Sequence, residues 1–229
     1  MRRSLLILAL FLALLAAPHS GRAYDEPDFG AESIVVLAPL FPQGYWWDHT
    51  TLTVRLKAAG NVDESSVAAI RDAMAYWNAA IAHRHGAGFV QLVEVTGDPV
   101  AAAQADITVN FHAQGGALYG VAICTSGKRC QVPLWAGDQA AEHTWVAVPL
   151  SYEQRVALAM HELGHVLGIG HTEPLFGTLD LMGYGIEGEA PFTNLAVSAC
   201  DMDAFDIAWA WAINGTDPAP PTATEVVCA

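Results

Sequence analysis

The segment His161-Glu162-Leu163-Gly164-His165-Val166-Leu167-Gly168-Ile169-Gly170-His171 constrains this chain more than any other. On a helix, residues four apart share a face, so the imidazoles of His161 and His165 point the same way. Gly168 can take a backbone conformation closed to other residues, which ends the helix and turns the chain back. The turn returns His171 toward the first two histidines. Three imidazoles converging in this way suit a zinc ion, and three protein ligands leave a coordination position open, the mark of a catalytic site. Glu162, beside the first histidine, is placed to act on a water molecule rather than to serve as a fourth ligand. The competing reading is a histidine cluster satisfied within an ordinary helix.

A helix is expected here on independent grounds. Ser151-Tyr152-Glu153-Gln154 is a capping box, and the helix that it opens extends to about Leu167. Upstream, Thr51 to Leu56 alternates as a strand does. Val67, Ile70, Met74, Trp77 and Ile81 then form one apolar stripe of a helix capped by Asn61 or Asp63 and ended by Gly86 and Gly88. Phe89–Val95, Ala105–Phe111, Tyr119–Ile123 and Thr144–Val148 read as further strands. Residues 24–50 read as irregular, Gly168 to Val197 as ordered loop, Ser198 to about Ile213 as a last helix, and 215–229 as a Pro/Thr-rich tail.

The long zinc motif, with a methionine downstream in Asp180-Leu181-Met182-Gly183-Tyr184, resembles the metzincin clan of zinc endopeptidases. Ala69-Ile70-Arg71-Asp72-Ala73-Met74-Ala75-Tyr76-Trp77 and Ala105-Asp106-Ile107 are most similar to the matrixin branch. The resemblance implies an α+β fold over residues 51–214. It consists of an α/β-like N-terminal lobe with a twisted, mixed five-stranded sheet and two long helices, then a small C-terminal lobe with a Met-turn and one helix. It also implies that Met182 lies beneath the ligands and that Glu162 is the general base, taking a proton from zinc-activated water and passing it to the leaving amine. Peptide substrates would lie extended along an edge strand, for which Tyr119-Gly120-Val121-Ala122-Ile123 is the candidate; an ordinary hairpin strand is the alternative. Tyr184 stands at the offset from Met182 at which the astacin and serralysin branches place a tyrosine near the zinc. It is either an oxyanion stabiliser or part of the pocket wall. The matrixin likeness brings in Ca2+ as a second ion, with Asp98, Asp106, Asp138 and Asp180 as loop acids, although no D-x-D-x-D-G loop is present. Thr172 replaces the serine that matrixins usually carry after the third histidine, and no cysteine-switch motif is found.

Charge and leader limit the partners. The chain has 10 Lys plus Arg against 24 Asp plus Glu, a net charge of −14. Without Arg2, Arg3 and Arg22, seven cations face 24 acids, a balance of −17. Such a surface repels phosphate backbones and excludes nucleic acid as a partner class. Residues 1–23 read as a secretory signal: a basic start, an apolar run of 13 residues from Leu5 to Ala17, and Gly21-Arg22-Ala23 before the cleavage point. An uncleaved anchor is the alternative. No later segment is long and apolar enough to span a bilayer. An extracellular or periplasmic monomer without stable membrane insertion is therefore expected. Four cysteines in an exported chain suggest two disulfides, and sequence proximity favours Cys124–Cys130 with Cys200–Cys228. His83 and His85 suit a helix end, and His112 and His143 lack the spacing of a second metal site. The function expected is a secreted zinc endopeptidase. The rival from another class is a catalytically silent extracellular binding protein that keeps the fold.

Overall fold

The computed structural model describes residues 34–37, 46–58, 64–112, 122–125, 129–135, 150–173, 180–183, 195–223 and 225–228. Its frame is a mixed five-stranded sheet in the order β3-β2-β4-β6-β5. β2 (Thr51–Ala58) lies parallel between β3 (Gln91–Glu94) and β4 (Ile107–His112). β6 (Arg129–Trp135) extends the sheet in parallel, and β5 (Ile123–Thr125) closes that edge antiparallel. The alternation foreseen in β2 buries Leu52, Val54 and Leu56. The matching positions Leu92, Ile107, Val109, Val132 and Leu134 bury beside them, so one face of the sheet is continuous core.

Helix α1 (Glu64–His85) joins β2 to β3 as a parallel crossover and lays Ile70, Met74, Trp77 and Ile81 into that core. Gly86, at φ 93°, ends it. The two expected capping residues, Asn61 and Asp63, lie outside the described residues. Asp98 caps the short α2 (Pro99–Ala103) by accepting from the amides of Val100 and Ala101. Helix α3 (Tyr152–Val166) opens on the expected capping box: Gln154 N–H donates to Ser151 Oγ at 3.2 Å, and Ser151 N–H donates to Gln154 Oε1 at 2.9 Å. Every residue from Val156 to Val166 is buried, as befits a helix enclosed by core on all sides.

Three indoles grip α3. Trp77 Nε1 donates to the Met160 carbonyl at 2.8 Å, Trp47 Nε1 to Val166 at 2.8 Å, and Trp209 Nε1 to Leu167 at 2.9 Å. The last two satisfy carbonyls that a helix end leaves without intrahelical partners.

The α+β class and the mixed five-stranded sheet expected from the sequence are what the chain adopts. The differences are local. β1 (Ile34–Leu37) falls in the stretch read as irregular, and β8 (Glu225–Cys228) in the stretch read as tail. They pair antiparallel with each other, and β1 also pairs with the two-residue β7 (Thr172–Glu173). β6 was not foreseen. The last helix is broken at Trp209 into α4 (Ala199–Ala208) and α5 (Ala210–Ile213), at the residue whose indole reaches back to α3. The expected strand Thr144–Val148 lies outside the described residues. Among the described residues, no helix is long and apolar enough to cross a membrane.

Candidate metal centre

His161 and His165 occupy one face of α3, both buried, with ring centroids 4.6 Å apart. The helix ends in a glycine turn. Gly168 sits at φ 96°, its N–H donates to the His165 carbonyl at 3.0 Å, and Ile169 N–H donates to the Gly164 carbonyl at 3.0 Å. This is the paired 5→2 and 6→1 bonding of a Schellman motif. It carries His171 back to the first two rings, with centroids 5.3 Å from His161 and 4.6 Å from His165. The Nε2 atoms of His165 and His171 are 3.1 Å apart, and one ligand atom from each of the three histidines lies within 4.8 Å of the others. Nitrogens about 2.05 Å from a tetrahedral zinc ion stand roughly 3.3 Å apart, so the cluster is close to the spacing that zinc needs.

Backbone carbonyls orient two of the rings. His161 Nδ1 lies 2.8 Å from the Leu181 carbonyl, and His165 Nδ1 lies 2.9 Å from that of Ile169. A proton donated from each Nδ1 leaves each Nε2 unprotonated, the tautomer that a metal ligand requires. The Leu181 carbonyl is fixed by a tight turn. Gly183 N–H donates to the Asp180 carbonyl at 3.1 Å, and Asp180 Oδ1 accepts from Met182 N–H at 2.9 Å. Met182 is fully buried, and a Cβ added at Gly164 would stand 2.5 Å from its sulfur. The methionine therefore presses on the ligand helix between His161 and His165.

Burial pushes His161 down to about 4, and burial together with the two neighbouring imidazoles holds His165 well below its usual range. Both rings are neutral at pH 7, as ligands must be. Burial pushes Glu162 the other way, up to about 8, and the one group opposing it is the Ala122 amide, which donates to this carboxylate. Glu162 Oε2 is buried with no hydrogen-bond partner among the described residues. A buried carboxylate oxygen without a partner among the described residues, on the residue next to the first of three converging histidines, fits a site built to receive a cation and its water.

No family model matches the chain, and no curated protein matches it in sequence. Among solved structures the chain is similar to archaemetzincin from Methanopyrus kandleri, at 15% identity over 75% of this chain and 99% of that one, with a TM-score of 0.42. It is also similar to high choriolytic enzyme 1, a hatching-enzyme zinc protease from the medaka fish Oryzias latipes. There the identity is 12% over 76% of this chain and 95% of that one, with a TM-score of 0.40.

The remaining expected site residues are placed unevenly. Of the expected edge strand, Tyr119, Gly120 and Val121 lie outside the described residues. Ala122 precedes β5, and Ile123 opens it, half exposed. Tyr184 also lies outside. Cys124 and Cys130 form the expected disulfide across the β5–β6 hairpin. Cys200 is disulfide-bonded too; the side chain of Cys228 lies outside the described residues, and its backbone is in β8, which packs beside the helix carrying Cys200. The acids considered for calcium have other work. Asp98 caps α2, Asp106 accepts from the Thr53 amide and hydroxyl at 2.7 and 2.6 Å, and Asp180 holds the Met182 turn, while Asp138 lies outside. Among the described residues, His161, His165 and His171 are the only group of three or more potential ligands close enough to share a metal ion.

One network escaped the sequence. Thr172 Oγ1 donates to Asp180 Oδ1 at 2.9 Å, Ser198 Oγ donates to Asp180 Oδ2 at 3.0 Å, and Ser198 N–H donates to Asp201 Oδ2 at 2.9 Å. It ties the residue after the third histidine and the Met182 turn to the start of α4. Asp201 is held well above the usual aspartate range by burial and by the charge of Asp180. The capping box Ser198-x-x-Asp201 was a visible signal for half of it; the partnership with Asp180, 21 residues upstream, had none.

Proposed function

We propose that this chain is an exported zinc-dependent endopeptidase of the metzincin type, matrixin-like in its N-terminal half. The observation that carries this reading is the convergence of three imidazole nitrogens beside a buried carboxylate with an unpartnered oxygen. His161, His165 and His171 would hold the ion. When bound, zinc supplies Lewis acidity, polarising a peptide carbonyl and acidifying water toward neutrality.

The protein's own groups do the rest. Glu162 accepts a proton from water at Oε2 and returns it to the leaving amine; that oxygen, buried and without a partner among the described residues, supports the role. Substrate lies extended against β5, whose outer side has no strand partner among the described residues. Tyr184 donates a hydrogen bond to the oxyanion. The leader at residues 1–23 supports export, and the acidic surface a monomer that works outside the cytoplasm on protein or peptide substrates.

The experiment is digestion of unfolded casein and a peptide library by the mature, zinc-loaded chain, with and without a chelator. Cleavage that the chelator abolishes and zinc restores is the expected result. No cleavage of either substrate at any pH, after zinc loading has been verified, overturns the proposal in favour of a silent binding protein.

A further inference from the structure

β5 is held by little. Among the described residues its three positions pair only with Arg129, Cys130 and Gln131 of β6, and a ladder this short at a sheet edge opens easily. The covalent link that offsets this is the Cys124–Cys130 bond, which joins residues directly opposite each other in the register. Two residues before Cys124, the Ala122 amide donates to the Glu162 carboxylate. A cystine, an edge strand and the carboxylate of α3 thus form one chain of contacts. Cys130 is buried in the core, Cys124 is partly buried and packs against it, and Ile123 beside it is half exposed.

We propose that the Cys124–Cys130 bond is a positioning device for Glu162, holding β5 in register so that the Ala122 amide stays on the carboxylate, and that its reduction lowers turnover. The effect on turnover rests on the peptidase reading; the effect on Ala122 does not. With β5 frayed, the carboxylate loses the Ala122 amide, its one donor among the described residues, and its fixed direction, and a misdirected base costs rate even when the substrate is bound. The redox step balances with a dithiol as reductant. Two electrons and two protons pass to the protein, the Cys124–Cys130 bond breaks to two thiols, and the dithiol closes to its own disulfide.

A reductant would also meet the bond at Cys200, so the test uses the paired variant Cys124→Ser/Cys130→Ser of the full, zinc-loaded chain. Amide exchange of Ala122 is measured against Val109 and Val132 in the sheet, and kcat and KM are measured on a cleaved peptide. The proposal expects Ala122 to exchange at least about tenfold faster in the variant, with Val109 and Val132 unchanged. It expects kcat to fall about tenfold with unchanged zinc stoichiometry, a larger change than that in KM. In Glu162→Ala, with the cystine intact, the Ala122 amide should also lose protection. An Ala122 amide equally protected in either variant overturns the proposal, as does an unchanged kcat once that amide is free. If the serine pair does not fold, Cys124→Ala/Cys130→Val replaces it with apolar groups of similar bulk. Failure of the peptidase reading would show differently, as a wild-type protein that cleaves nothing while the exchange measurements still decide the role of the cystine.

Discussion

Replacing Gly168 with alanine strikes the turn on which the metal centre depends. At φ 96° an L side chain meets its own backbone, which costs about 1–2 kcal/mol. The new Cβ would also stand 2.9 Å from Ala208 Cβ on α4, and a methyl group forced into a packed contact costs roughly 1–3 kcal/mol. Alanine restricts the unfolded chain, which offsets about 0.4–1 kcal/mol. The net loss is therefore about 2–3 kcal/mol. For a domain of this size, each kcal/mol lowers Tm by about 2–4 °C, so thermal unfolding of the metal-free protein should begin roughly 5–10 °C lower. The Ala208→Gly change removes the opposing methyl, and the double variant should regain about half of the loss. Because the same turn delivers His171, zinc affinity measured by competition with a chromogenic chelator should fall about tenfold or more. A Gly168→Ala protein that melts within a degree of wild type would refute the strain argument. A double variant that recovers nothing would refute the clash.

Four further outcomes follow from the site. His165→Ala should lose most of its zinc by metal analysis, and retention at wild-type stoichiometry would remove His165 from the ligand set. Glu162→Gln should keep its zinc and lose at least about a hundredfold in kcat, since Gln keeps the shape but not the base; near-normal turnover would assign the proton to another group. Asp201 binds its proton more tightly in the fold than the usual aspartate value of 3.8, so stability falls as pH rises above about 4, and Asn, with no proton to lose, escapes that fall. The Tm of Asp201→Asn minus that of wild type should therefore climb with pH, and a flat difference would contradict it. Tyr184→Phe should lower kcat about a hundredfold with little change in KM if the hydroxyl meets the oxyanion, whereas unchanged kcat would leave Tyr184 as wall material.

What the sequence made legible was what repeats at short range. The α3 capping box, the i, i+4 histidines and the glycine turn lie within 21 residues, and each has a local signature that the structure keeps. The stripe of α1 was visible for the same reason. β1, β7 and β8 were not, because strands of four, two and four residues carry too little pattern and find their partners far along the chain. β6 was hidden by its own residues. Cys130 stood out only as the disulfide partner of Cys124, and Pro133 argues against an interior strand. The register explains why proline is tolerated: β5 pairs only with residues 129–131, so on that side Pro133 has no partner to disappoint among the described residues. The Asp180–Asp201 pair was illegible because two acids 21 apart signal nothing until the chain is folded.

The indole bonds at the end of α3 also govern when the molecule can be finished. Trp47 stands 119 residues before the carbonyl that it caps, and Trp209 stands 42 residues after its own. A growing chain presents Trp47 first, the three histidines next and Trp209 last. Until Trp209 is made, the Leu167 carbonyl lacks the indole that caps it, and α4 is not complete to back Gly168 at Ala208. Contacts of such long sequence separation form late. The last of the indole bonds on α3 is thus made only when the chain is nearly complete, whereas the turn that brings the histidines together is local to residues 161–171.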